Sequence, residues 1–173
     1  HGWMARRLGD RTAELLGRLT LNPVKHIDPI GTIVIPSLLY FAGGFIFGWA
    51  KPVPIDPRNL AHPRRDMAAV AAAGPLANLA MAVIWALIAK LGLMLALTLP
   101  WVGVPLLLMG KAGIFLNSIL MVLNLLPLPP LDGGRVLVGL LPDHLADGIA
   151  RIEPYGMFIL VGLMVTGYLG QLI

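Results

Sequence analysis

The sequence predicts an all-α polytopic membrane protein, a transmembrane helix bundle with a small β element at the membrane edge. Composition sets the class. Hydrophobic residues make up 57% of the 173-residue chain and charged residues 13%, with a mean hydropathy of +0.81. An ordinary soluble domain has about 45–50% and about 25%. The apolar residues also come in long runs rather than in the stripes of amphipathic helices. Charge placement is the third observation. A formal charge of +4 and a pI near 9.9 would suit a nucleic-acid partner. The basic residues, however, sit in short segments between apolar runs, as positive-inside loops do, and nucleic acid is excluded on that ground. Without cysteine there are no disulfides and no thiolate zinc sites, so a metal would be held by His, Asp or Glu. The length suits one domain, residues 1–173.

A spanning helix needs about 20 apolar residues. Residues 30–50, 67–91, 104–126 and 155–173 are the candidates. The apolar stretch 92–103 either extends a neighbouring helix or turns tightly around Pro100. Residues 136–141 are too short to span and read as part of a half-helix starting at Asp132. Segment 30–50 is flanked by Arg6, Arg7, Arg11, Arg18 and Lys25 on one side and by Lys51, Arg58, Arg64 and Arg65 on the other. A single crossing puts one basic loop outside, whereas a re-entrant hairpin turning near Gly43-Gly44 keeps both on the cytoplasmic side. Both readings stay open. Gly74-Pro75 kinks the second helix or permits close helix approach. Residues 49–54, Trp-Ala-Lys-Pro-Val-Pro, read as an edge strand, because their prolines forbid a central one. Arg64 and Arg65 belong to a cytoplasmic loop and carry no chemistry.

The stretch with the most chemical content is Asn124-Leu-Leu-Pro127-Leu-Pro129-Pro130-Leu-Asp132-Gly133-Gly134. It closes an apolar run with prolines and then places a carboxylate where hydrocarbon is expected. Broken backbone at membrane depth is tolerated only where protein buries it or it lines a cavity, and an ionisable residue there marks a functional site. Taken alone, Asp132 is a turn or a helix cap, and His1 is only the edge of a chain. Asn124 and Asn78 are amides in apolar runs, whose ordinary role is hydrogen bonding between helices. His26 and Asp28, beside Pro29, suit turn and loop hydrogen bonds. His62 and His144 read as solvated, and the eight methionines as gap fillers.

Together these residues resemble the site-2 protease family of intramembrane zinc metalloproteases, in its compact branch without a PDZ domain. The likeness is carried by His1-Gly2 through Gly9-Asp10, by Gly17-Arg18-Leu19-Thr20-Leu21-Asn22-Pro23, and by His26-Ile-Asp28-Pro29-Ile-Gly31. It continues in Gly48-Trp-Ala-Lys51-Pro52-Val-Pro54, Ala73-Gly74-Pro75-Leu-Ala-Asn78 and Asn124 through Arg135, and so covers nearly the whole chain in order. In that family a His-Glu-x-x-His helix supplies two zinc ligands and the catalytic glutamate. Histidines four apart lie on one helix face, and the Asp of a Leu-Asp-Gly motif completes the set. The resemblance implies that His1 is the second histidine and Asp132 the third ligand of a Zn2+ ion. It places the first histidine and the glutamate upstream of His1, so no catalytic residue lies within this chain, which is expected to be inactive alone. Three protein ligands are the catalytic pattern, whereas a structural site is closed by four.

The resemblance further implies that Asn124 lies near the metal, orienting substrate or an oxyanion, with Asn78 a more distant neighbour. Lys51, Pro52, Val53 and Pro54 would form the edge that holds an unwound substrate by strand addition. His1 precedes Arg6 by five residues, roughly 8 Å of helix, which puts the site within the bilayer and nearer its cytoplasmic face. The expected function is zinc-dependent endoproteolysis of transmembrane segments of other membrane proteins, by a multi-pass protein of a bacterial-type cell membrane whose surroundings are the lipid bilayer. The rival from another class is a non-catalytic membrane protein, a scaffold or transporter-like relative, using Asp132 in an ion path.

Overall fold

The computed structural model describes residues 1–41 and 48–165 of the chain. They fall into two compact units, residues 1–63 and 64–173.

The first unit is built from short helices and loops. Helix α1 (Gly2–Arg7) ends where Gly9 takes a positive φ of 111°, and α2 (Thr12–Leu15) ends at Gly17, φ 64°. Both are conformations that glycine adopts without penalty. Asp28 starts the next helical stretch: its Oδ1 accepts from the Ile30 and Gly31 N–H groups, both at 2.9 Å. The stretch opens with wide π-type winding over Pro29–Val34 and continues as α3 (Ile35–Phe41). Pro36 lacks a donor and its ring crowds the carbonyl four residues back, which the wider winding just upstream relieves. His26 Nε2 donates to the Thr20 carbonyl at 3.0 Å, so His26 and Asp28 hydrogen-bond within their loops as the sequence suggests. Residues 42–47, where the crossing-or-hairpin question turns on Gly43-Gly44, lie outside the described residues.

The expected β element does not form: no strand occurs among the described residues. Residues 49–54 run without helix, and they lean on the loop before them. Trp49 N–H donates to the Gly31 carbonyl at 3.0 Å and Lys51 N–H to the His26 carbonyl at 2.9 Å. The Thr32 hydroxyl donates to the Trp49 carbonyl at 2.9 Å. A ladder fails here for two reasons. Pro52 and Pro54 have no N–H to give, and the facing segment coils into a helix at Pro29.

The second unit is dominated by two long helices, α4 (Pro63–Ala96) and α5 (Pro100–Leu125). Each is long and apolar enough to cross a membrane. Each begins on a proline, the residue best suited to the first helical position. Stretch 92–103 does both things expected of it, extending α4 to Ala96 and then turning before Pro100. Helix α4 passes Pro75 as one element. The pair is inside-out relative to a soluble hairpin. Glycines line the seam: Gly92 faces Leu107, Gly103 faces Ala96, Gly110 faces Ala89 and Gly113 faces the Trp85 ring. Large apolar side chains such as Leu87 and Phe115 point outward, 63% and 65% exposed. Close approach through small residues is how helices associate in lipid, where apolar burial between them gains nothing.

Helix α6 (Asp132–Leu140) starts on the aspartate, as the half-helix reading requires. Helix α7 (Asp143–Ala150) was not expected from the sequence, and α8 (Glu153–Val165) covers the described part of the fourth apolar segment.

Candidate metal and substrate site

His1 heads α1, its carbonyl accepting from Ala5 N–H at 2.9 Å. The residue after it must be small. A Cβ on Gly2 would lie 3.1 Å from Val53 Cγ1 and 3.2 Å from Leu19 Cδ1, tight contacts that a hydrogen avoids. This packing brings the segment Lys51, Pro52, Val53, Pro54 against the start of α1, directly beside His1.

Asp10 pins the same segment from its far end. Its side chain is fully buried. It accepts from Thr12 N–H and Oγ1, from Asp56 N–H at 2.9 Å and from Asn59 Nδ2 at 3.0 Å. Burial pushes this carboxyl up, but the bonds from Thr12, Asn59 and Asp56 outweigh it and hold the group at about 2. The sequence reading quoted Asp10 only as part of a motif. A carboxylate between Gly9 and a Thr two residues on is the signal for such a turn.

In the second unit, Asp132 occupies the first turn of α6, where a carboxylate meets the positive end of the helix dipole. Three glycines clamp its surroundings. A Cβ on Gly133 would strike the Leu125 carbonyl, one on Gly134 the backbone at Pro129, and one on Gly156 of α8 the Pro129 carbonyl. The proline loop is thus pressed between the end of α5, the start of α6 and α8. Arg135 Nη2 and Glu153 Oε1, 3.2 Å apart, add an exposed ion pair between α6 and α8.

The far end of α6 is held by Arg64, which departs from the sequence reading. Arg64 is half-buried. It donates from Nε to the Val138 carbonyl at 2.9 Å and from Nη2 to the Leu141 carbonyl, filling acceptors a helix C-terminus leaves open. Gly139 packs on Ala68 beside it. Arg65 is exposed.

Asn78 on α4 and Asn124 on α5 are both half-buried. The sequence reading missed Asn117, seven residues before Asn124 and so on the same helix face. It is buried, its Nδ2 donates to the Gly113 carbonyl at 2.8 Å, and its Oδ1 has no partner among the described residues. A second amide in the apolar run that holds Asn124 was the available signal.

His1 and the 51–54 segment therefore belong to the first unit, and Asp132, Asn124 and Asn78 to the second. Among the described residues no three His, Cys, Asp or Glu side chains gather into a metal-binding group. A histidine and an aspartate fit zinc by donor type, one short of the three protein ligands a catalytic zinc takes.

These residues, in this order along the chain, define a member of the site-2 protease family of zinc metalloproteases, and the chain belongs to that family. It is 39% identical over 174 aligned positions to "Putative zinc metalloprotease YwhC" of Bacillus subtilis, covering 96% of this chain and 73% of that protein. It is 34% identical to "Putative zinc metalloprotease Rip2" of Mycolicibacterium smegmatis, covering 99% of this chain and 62% of that one. The Mycobacterium tuberculosis Rip2 is 32% identical over 95% of this chain. The chain spans less than two thirds of the two Rip2 relatives. No family model matches it, and no solved structure does.

Proposed function

We propose that the full-length protein is a zinc-dependent intramembrane endopeptidase that cuts transmembrane segments of other membrane proteins in a bacterial-type cell membrane. The observation that carries this is the packing around Asp132: a carboxylate beside the end of an apolar helix of spanning length, fixed by three glycines that admit no side chain. Such a position is costly in lipid and is kept for function.

His1 and Asp132 would hold the metal, together with a histidine upstream. When bound, zinc polarises the scissile carbonyl as a Lewis acid. The chain's own residues do the rest. A transmembrane helix hides its carbonyls in its own hydrogen bonds and must unwind before it is cut. Trp49 and Lys51 spend their N–H groups inward. By the two-residue alternation of extended chain, Ala50, Pro52 and Pro54 face the other way, and two of these offer carbonyls only. An unwound substrate would therefore donate its N–H groups to this edge, held next to His1 by the Val53–Gly2 contact. Asn124 would donate to the developing oxyanion, and a glutamate upstream of His1 would move the proton.

The test is reconstitution of the full-length protein with a panel of single-span membrane proteins, with products mapped by mass spectrometry. Cuts within the apolar segments are expected from wild type and none from Asp132→Ala. Cleavage surviving in that variant, or confined to soluble loops, overturns the proposal.

A further inference from the structure

The α4–α5 hairpin carries two lysines that the proteolytic reading does not use. Its register is fixed by contact: a Cβ on Gly110 would meet Ala89 at 2.6 Å. Lys90 directly follows Ala89 and Lys111 directly follows Gly110. One residue rotates a helix by about 100°. Because the two helices run in opposite directions, that single step carries both lysines off the seam to the same side of the hairpin. It separates them along the axis by two residues of rise, about 3 Å.

Both lysines are exposed, and neither is hydrogen-bonded or ion-paired to another described residue. Their neighbours one turn away on that side are Leu87, Met94, Leu108 and Phe115, all more than half exposed. Farther along, Leu97 and Trp101 leave the hairpin tip apolar and exposed, and a tryptophan is a residue of the membrane–water interface. The two lysines form a cationic band in an apolar exterior. The charge-free stretches 67–89 and 112–131 both end at this band. The first is about 35 Å of helix, against a hydrocarbon core of about 30 Å. With Arg64 and Arg65 at one headgroup level, Lys90 and Lys111 reach the other. Phosphate is the anion found there, and two ammonium groups carry one more charge than a single phosphodiester, which favours a lipid of net negative charge.

We propose that Lys90 and Lys111 form a binding site for the phosphodiester of an acidic phospholipid, in the leaflet opposite Arg64 and Arg65. The inference rests on the membrane-spanning reading of α4 and α5 but not on zinc or proteolysis.

The test uses native mass spectrometry of the full-length protein in mild detergent, titrated with phosphatidylglycerol. Wild type is expected to retain one lipid. Lys90→Gln or Lys111→Gln should weaken that adduct about fivefold, and the double variant about 25-fold, since each cation near an anionic headgroup contributes about that factor. The double arginine variant should retain it, and Lys25→Gln should leave it unchanged. An unchanged adduct in the double glutamine variant overturns the site. Displacement by inorganic phosphate at equal concentration would show a site for free anions and overturn the lipid assignment. Membrane fractionation separates the two readings: wild type in the soluble fraction would overturn the membrane reading itself, whereas a membrane-bound protein without the adduct overturns this proposal alone.

Discussion

Asp10 shows how much one buried carboxylate can organise. It ties the end of α1 to residues 56 and 59, and so keeps the 51–54 segment against Gly2. Its depressed pKa fixes the sign of a pH prediction. A carboxyl at about 2 in the folded chain, against an ordinary 3.8, contributes stability that is present above the ordinary value and lost as pH falls through about 2. The contribution is on the order of 2 kcal/mol at neutral pH. Asp10→Asn should therefore melt below wild type at pH 7 in detergent, and the gap should narrow between pH 4 and pH 2. A gap independent of pH would mean that the charge is irrelevant. The glycines admit an equally direct check. Gly134→Ala and Gly156→Ala force side chains into backbone and should each cost at least about 1–3 kcal/mol, the usual penalty of overpacking. Gly148→Ala meets nothing within 4 Å and should be neutral or slightly stabilising in α7. Equal effects at the three positions, read from thermal melts, would contradict the packing described.

Among the elements, α6 is the one on which the proposed metal site depends, because Asp132 is its first residue. Arg64 closes its other end, so charge-matched neighbours should behave differently. Arg64→Ala should loosen α6 and lower zinc retention by the full-length protein several-fold, while Arg65→Ala should not. Hydrogen exchange over residues 132–140 reads the loosening independently of metal, and equal protection in the two variants would show that the Arg64 contacts do not matter. This asymmetry was invisible in the sequence, where Arg64-Arg65 is a uniform basic pair; only the fold decides which of them meets the α6 carbonyls. The long helices were legible, because spanning-length apolar runs leave few alternatives, and so was the helix starting at Asp132. The β edge was not. Its prolines correctly signalled an edge, but a strand also needs an extended partner, and the partner coils at Pro29. Helix α7 was missed because it is short and amphipathic, with Leu145 and Ile149 one turn apart among polar residues, and lacks the long apolar run that marked the others.

Across the whole chain the family was legible from motifs spread over nearly its full length, each ambiguous alone. His1 and Asp132 stand 131 positions apart in sequence and in different compact units, so no local pattern could pair them; their pairing is a proposal that rests on the order of the surrounding motifs. The central claim is that these two side chains ligate one zinc in the full-length protein. It is tested most directly by counting zinc in purified wild type, His1→Ala and Asp132→Ala, and by X-ray absorption at the zinc edge. One zinc per chain is expected in wild type, with only nitrogen and oxygen ligands at about 2.0–2.2 Å. Each variant should lose most of it while still partitioning with membranes. Full zinc occupancy with an unchanged absorption spectrum in either variant would contradict the account.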